Sequence, residues 1–262
     1  MSTDPILASL DDGIARIRFN RPSALNAIDV PMAEQLLATV KRLQAAGGVR
    51  VIVLSGEGRA FMAGGDLRAF HADPQHADTT ARALIDPLHA ALALLAAGDA
   101  PVLASLHGAV AGAGMSLALA ADLAIAADDT VFNMAYARIG ASLDAGSSWA
   151  LPRLVGLRRA MQIALLSEPI DAAAALALGL VNRVVPRAAL AAETDLLARR
   201  LAAGPTLAYG HIKRLLRGSF DCTMAEQMGR ERTAFRETSH TADFAEGTRA
   251  FVEKRRAKFA GR

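Results

Sequence analysis

The stretch Ala100–Ala121 contains no Asp, Glu, Lys or Arg. A chain carrying such a run must either place it in a bilayer or build a core around it. As one helix it reaches the roughly 20 residues that a membrane crossing needs, and Gly108 and Gly112 stand at the spacing of a membrane-helix contact. Yet Gly108, Gly112 and Gly114 crowd its centre, behind the proline-led start Pro101-Val102-Leu103. Glycine weakens a helix interior by about 1 kcal/mol and frees the backbone for turns. The run is therefore expected to fold as a strand over Pro101–Leu106, a glycine turn, and a buried helix from about Ala113, with no membrane partner.

The rest of the chain fits a core of this kind. Val51–Leu54 is wholly apolar, as a strand is when both faces of its sheet are covered. Leu123–Ala127 reads as another strand, and Ile14–Phe19 alternates, with Ile17 and Phe19 on one face and Arg16 and Arg18 on the other. Between them, Asp29 and Pro31 open a helix whose apolar residues Met32, Leu36, Val40 and Leu43 recur at helical spacing until Gly47-Gly48. Asp66 is placed to cap a short helix, and a longer one covers Ala81–Ala97. Strands alternating with helices predict an α/β fold with a mainly parallel sheet. From Ala188 onward strand-like runs vanish, and helical stretches are broken at Gly204-Pro205, Gly218 and Gly229. Phe251–Lys258 is basic and amphipathic, the solvated face of a last helix. The expected organisation is an α/β core over residues 1–200 followed by a helical region over 201–262.

Composition removes several classes of function. At 52% hydrophobic, with 29 Lys+Arg against 26 Asp+Glu, the chain is too apolar and too nearly neutral to be disordered, and its net charge of +3 does not argue for a nucleic-acid partner. Cys222 stands alone, which excludes a disulfide scaffold and suits a reducing compartment. Met1–Pro5 holds Asp4 and no basic segment, so no secretory signal is expected and the expected location is cytoplasmic. No His/Cys/Asp cluster has metal-ligand spacing, no serine sits in a nucleophile elbow, and no GxGxxG follows a first strand. No metal or cofactor is expected.

Two glycine-rich turns, Ala60–Leu67 and His107–Ser116, each follow a buried strand. Small residues there let a ligand approach main-chain N–H groups, and a helix beginning at once adds its positive dipole end. Two such N–H groups aimed at one point make an oxyanion hole for a carbonyl that develops negative charge. The same turns also serve as tight packing turns, and the residues alone leave both readings open.

The order of these pieces resembles the crotonase, or enoyl-CoA hydratase/isomerase, superfamily. The likeness runs through Asn20-Arg21-Pro22-Ser23-Ala24-Leu25-Asn26, both glycine turns, Gly140–Arg153, Ala177–Asn182 and Ala250–Arg255, essentially the whole chain. Within the superfamily the central stretch is most similar to the phenylacetate-pathway ring-epoxide isomerases and the Δ3-enoyl-CoA isomerases. The resemblance implies a spiral of ββα units with a C-terminal helical oligomerisation region, and an acyl-CoA substrate. It implies that the N–H groups of Ala63 and Ala113 hold the thioester carbonyl, with Gly112 and Gly114 keeping the second turn tight. Ala113 stands where the family more often has glycine. Ser23, Ala24, Leu25, Gly65, Asp66 and Leu67 match positions along the adenine and pantetheine path, although Asp66 serves equally as a plain helix cap. Phe251 and Lys254 match positions that approach the CoA of a neighbouring subunit, which implies a homotrimer or a hexamer.

A second departure bears on the reaction. Hydratases of the family place two glutamates over the thioester to activate water and deliver a proton. This sequence has Ser116 and Tyr136 at the matching positions, and a hydroxyl at its ordinary pKa is a poor base near neutrality. Asp144 stands where isomerase-like members carry a single acid, and its neighbours Leu143 and Ala145 would shield it from water. The expectation is a double-bond or ring-epoxide isomerase with Asp144 as its acid/base. The alternatives are an enoyl-CoA hydratase and, outside catalysis, a CoA-binding or RNA-binding homologue. Trp149 reads either as a wall of the acyl pocket or as a core aromatic, His107 as structural, and Cys222 as a buried small hydrophobe.

Overall fold

The structure, a computed structural model, describes residues 4–262. Its first half comprises strands β1 (Ile6–Asp11) and β2 (Ile14–Phe19), helix α1 (Val30–Ala46), β3 (Val51–Gly56), α2 (Leu67–Ala72), α3 (Ala77–Ala97), β4 (Val102–Leu106), β5 (Ala109–Ala111), α4 (Ala113–Ala120), β6 (Leu123–Ala127) and β7 (Val131–Asn133). The second half continues with α5 (Ser147–Val155), α6 (Leu157–Leu166), β8 (Ile170–Asp171), α7 (Ala172–Ala177), β9 (Arg183–Val185), α8 (Leu190–Ala202), α9 (Thr206–Gly218), α10 (Met224–Ser239) and α11 (Ala242–Val252).

One sheet runs in the order β1-β2-β3-β4-β6-β9, parallel except for the β1–β2 hairpin, and a small β5-β7-β8 sheet forms separately. The period of two along each strand divides the apolar residues between two layers. Ile17, Phe19, Ile52, Leu54, Ala104 and Leu106 face the layer of α1, α3 and α4, whereas Ile14, Val51, Val53, Leu103 and Ile125 face α8 through Leu190 and Ala198. Both faces are covered, which is why β3 and β4 carry no polar alternation. Arg16 does alternate, and it reaches Asp195 of α8 at 2.9 Å.

The uncharged run folds as β4, a turn containing β5, and α4, all within one chain of the core. Helix α3 is itself long and apolar enough to cross a bilayer, but it buries Leu84, Leu88, Ala91 and Leu95, one helical stripe, in the core it shares with α1.

One strand is added and two local expectations are corrected. The added strand, β1, buries only Ile6 fully; it is an edge strand held by the Asp12-Gly13 turn, both residues of which have positive φ. Gly229 breaks nothing: it lies inside α10, whose start is fixed by a capping box between Thr223 and Glu226. The basic segment from Phe251 is not a helix face, since α11 ends at Val252 and Lys254 turns with φ +53°. Carboxylates of α11 recapture the chain end instead. Glu246 takes both ends of the Arg255 guanidinium at 2.6 and 2.9 Å, and Asp243 accepts from the amides of Ala260 and Gly261.

The C-terminal helices are pinned to the α/β layer by Lys213 of α9. Its side chain is 7% exposed and donates to Asp122 at 2.7 Å and to the carbonyls of Leu95 and Ala100. Burial lowers the Lys213 pKa from its ordinary value against the pull of Asp122. Lys213→Met removes the donor from three buried acceptors, and the expected loss is about 3 kcal/mol of unfolding free energy, read by denaturant titration. A loss under about 0.5 kcal/mol would show that the pin is dispensable.

Candidate active site

The two glycine turns leave the carboxyl ends of neighbouring parallel strands, β3 and β4, which is where open α/β sheets place their ligands. Main-chain bonds zip them together. Phe61 N donates to His107 O (2.8 Å), Met62 N to Ala109 O (3.1 Å), and Ala111 N to Met62 O (2.9 Å). Two glycines make the approach feasible. A Cβ on Gly114 would sit 2.2 Å from Met62 O, and one on Gly108 would sit 2.1 Å from Arg59 O, where the first turn begins. Any larger residue at 114 would push the turns apart.

The amides of these turns divide into those already bonded and those left open. Ala63, expected to hold the thioester carbonyl, is corrected here: its N–H donates to Leu25 O at 3.0 Å and is committed to the fold. Gly112 N is likewise bonded, to Asn133 O at 2.9 Å. Among the described residues, the Gly64 and Gly65 amides on the first turn and the Ala113 amide on the second have no protein acceptor. Nothing lies within 4 Å of where a Gly65 Cβ would be, so this residue borders open space. Ala113 is the first residue of α4, where the helix leaves its amides unpaired and its dipole is positive.

Beside Gly65 opens a cleft of about 760 Å³ whose lining includes Ser23, Ala24, Gly65, Asp66 and Leu67, five of the six residues matched to the CoA path. The sixth, Leu25, is absent from the lining and instead supplies the carbonyl for Ala63. Asp66 caps α2 by accepting from Arg68 N, and its carboxylate also takes the side chains of Arg68 and, at 3.0 Å, Arg21. The Arg68 and Arg21 guanidiniums hold the Asp66 pKa well below the carboxylate range, desolvation notwithstanding. The capping reading of Asp66 is thus correct, and lining the cleft is a second role. The Arg68 side chain, 75% exposed, is a cation on the rim, tied to Asp66.

Asp144 lies in the loop before α5, with its side chain 18% exposed. Its own carbonyl accepts from Ser147 N and Oγ, which fixes the loop. Its carboxylate accepts from His89 Nε2 at 2.7 Å. His89 comes from α3, far away in sequence, and no motif announced it. Of the residues flanking Asp144, Ala145 is buried and Leu143 packs on the core. One turn past Ala113, Ser116 (1% exposed) meets Tyr136, Oγ to Oη 3.0 Å. Burial pushes the Tyr136 phenol up to about 12, and the nearby Asp144 charge adds to the rise. Neither hydroxyl is a base near neutrality.

The remaining candidates separate clearly. Trp149 is not a core aromatic: it is 39% exposed, with the Arg153 guanidinium 4.1 Å over its ring, and it lines a cavity with Leu216 and Phe220. His107 is structural, buried and bonded to Gly58 O at 3.1 Å. Cys222 is half-buried, its Sγ 3.3 Å from Gln227 Oε1, not an interior hydrophobe. Phe251 (85% exposed) and Lys254 lie outside the cleft of their own chain, and the Arg255 beside them is taken by Glu246 and Glu253.

Open amides on two joined turns, a cleft beside Gly65 and a half-shielded carboxylate held by His89 are the parts that chemistry on an activated carbonyl calls for. The family profile described as enoyl-CoA hydratase/isomerase matches residues 9–262. A Rhodobacter capsulatus protein named "probable enoyl-CoA hydratase" is 39% identical over the full length of both chains. The 1,2-epoxyphenylacetyl-CoA isomerase of Escherichia coli is 35% identical over 98% of each. The crystal structure of an enoyl-CoA hydratase from Polaromonas sp. JS666 superposes with a TM-score of 0.92 at 31% identity, covering 97% of this chain and 99% of that one. The chain belongs to the enoyl-CoA hydratase/isomerase family and has the crotonase fold.

Proposed function

We propose that this enzyme isomerises an acyl-CoA thioester, moving a Δ3 double bond to Δ2 or opening a ring epoxide. The Ala113 amide, with Gly65 in place of Ala63, holds the thioester oxygen. Asp144 takes a proton from C2 of a 3-enoyl thioester, the two amides carry the dienolate charge, and the same carboxyl returns the proton at C4. His89 occupies one carboxylate oxygen, leaving Oδ2 to carry the proton. The observation that carries this reading is the Ser116–Tyr136 contact: where a hydratase needs two carboxylates, this site has two neutral hydroxyls.

A second reading has one observation in its favour. His89 adjoins Asp144, so the site holds a second group able to move protons, and a His/Asp pair can activate water for hydration. The two are separated by substrate. The purified protein is expected to convert a 3-enoyl-CoA to the conjugated 2-enoyl-CoA and to leave crotonyl-CoA essentially unhydrated. Hydration of crotonyl-CoA without isomerisation would reverse the assignment. CoA binding with no turnover would leave a scaffold. RNA retention without CoA binding would favour the RNA-binding homologue, against which α1 offers only Lys41 and Arg42 as cations.

The proposal extends to assembly and place. Phe251 and Lys254 are free to meet the CoA of another copy, so the helical region over 201–262 is read as the contact of a homotrimer or a dimer of trimers, in the cytoplasm. No cofactor enters the scheme.

A further inference from the structure

We propose that the Tyr136 hydroxyl, held by Ser116, is a subsite for an oxygen carried on the acyl group, so that the enzyme selects oxygen-bearing acyl-CoA thioesters over hydrocarbon ones. This rests on the acyl-thioester reading above and adds a substrate class to it.

The argument is a count of protons and lone pairs. Ser116 Oγ lies 3.0 Å from Tyr136 Oη and 3.3 Å from Gly112 O. Two hydroxyl protons serve this chain of three oxygens. If they run from Tyr136 to Ser116 to Gly112, both Tyr136 lone pairs go unused. If Ser116 instead donates to Tyr136, the phenol proton goes unused. In either arrangement Tyr136 Oη keeps an unmet hydrogen-bonding capacity, and Ser116, 1% exposed, has no access to water with which to relieve it.

On the acyl-thioester reading, the acyl group extends from the Ala113 amide toward Asp144, and this capacity lies beside that path. Ser116 is one helical turn beyond the Ala113 amide, and Asp144 is close enough for its charge to act on the phenol. In the free enzyme water can satisfy Tyr136, which is only half-buried. A hydrocarbon acyl chain displaces that water and leaves the oxygen unpaired, whereas a hydroxyl on the acyl group pairs with it in either proton arrangement. An epoxide oxygen, an acceptor only, pairs when Ser116 is the donor to Tyr136. Sites built to bond an oxygen discriminate strongly against the analogue lacking it, because their own polar group is stranded.

Equilibrium binding of two matched pairs tests this: 3-hydroxybutyryl-CoA against butyryl-CoA, and 2-hydroxyphenylacetyl-CoA against phenylacetyl-CoA, with CoA alone as reference. The oxygenated member of at least one pair is expected to bind about tenfold tighter. Tyr136→Phe should bring that ratio to within about twofold while the Kd for CoA stays unchanged, and Ser116→Ala should weaken the preference without removing it. Binding of all four thioesters without discrimination overturns the subsite and leaves the acyl-CoA reading standing. A preference that survives Tyr136→Phe also overturns it. Failure of every thioester to bind overturns both.

Discussion

Asp144→Asn is expected to lower kcat for 3-enoyl-CoA isomerisation by about 10³-fold, within the range that general acid–base groups contribute. The substitution keeps the shape of the side chain and an oxygen for the His89 Nε2 proton, now 2.7 Å away, but removes the group that carries hydrogen from C2 to C4. Affinity for CoA should change by less than about threefold, because the cleft of Ser23, Ala24 and Asp66 is untouched. His89→Ala supplies the contrast. If the imidazole only orients the carboxylate, it costs about tenfold. A loss as large as that of Asp144→Asn would make His89 a proton carrier in its own right and favour hydration. Full turnover by Asp144→Asn would end the proposed mechanism.

Ala113→Pro should cost about 10²- to 10³-fold in kcat, the effect of removing one oxyanion-hole donor. Ala113 is the first residue of α4, where proline's fixed φ suits the helix and its missing N–H breaks no internal bond. Stability should therefore hold while catalysis falls, and thermal unfolding measured alongside turnover separates the two. Gly65→Ala is the companion substitution. It retains the amide and adds a methyl where nothing lies within 4 Å, so activity should stay within about threefold. An Ala113→Pro enzyme with undiminished kcat would move the thioester oxygen elsewhere.

Of the parallel strands, β2, β3, β4 and β6 were legible, the central two because burial on both faces leaves a local mark: Val51–Leu54 and Pro101–Leu106 are apolar without alternation; the three-residue strands β5, β7 and β9 are too short to leave one. Where carboxylates across a turn redirect the chain, as Asp243 and Glu246 do beyond α11, local composition carried no signal. The same holds in the site. Glycine turns, the Asp66 cap and the cleft residues could be named from motif order. The choice among amides could not, because Ala63, Gly64 and Gly65 differ only in which carbonyl meets them, and Leu25 takes Ala63 from 38 positions away (63 − 25). His89 was invisible for a like reason: a histidine on an amphipathic helix has no local feature marking a carboxylate in a distant loop.

By itself, then, the order of residues determined the α/β class and the two turns, because hydrophobic period, glycine and capping act over a few neighbours; Asp144 was singled out only by the resemblance to the family. Tertiary structure alone decided which amides stay open, what stands beside Asp144, and that Ser116 and Tyr136 share a hydrogen bond. Hydrogen bonds between distant segments depend on distances of a few tenths of an ångström, and only the packed chain sets those distances.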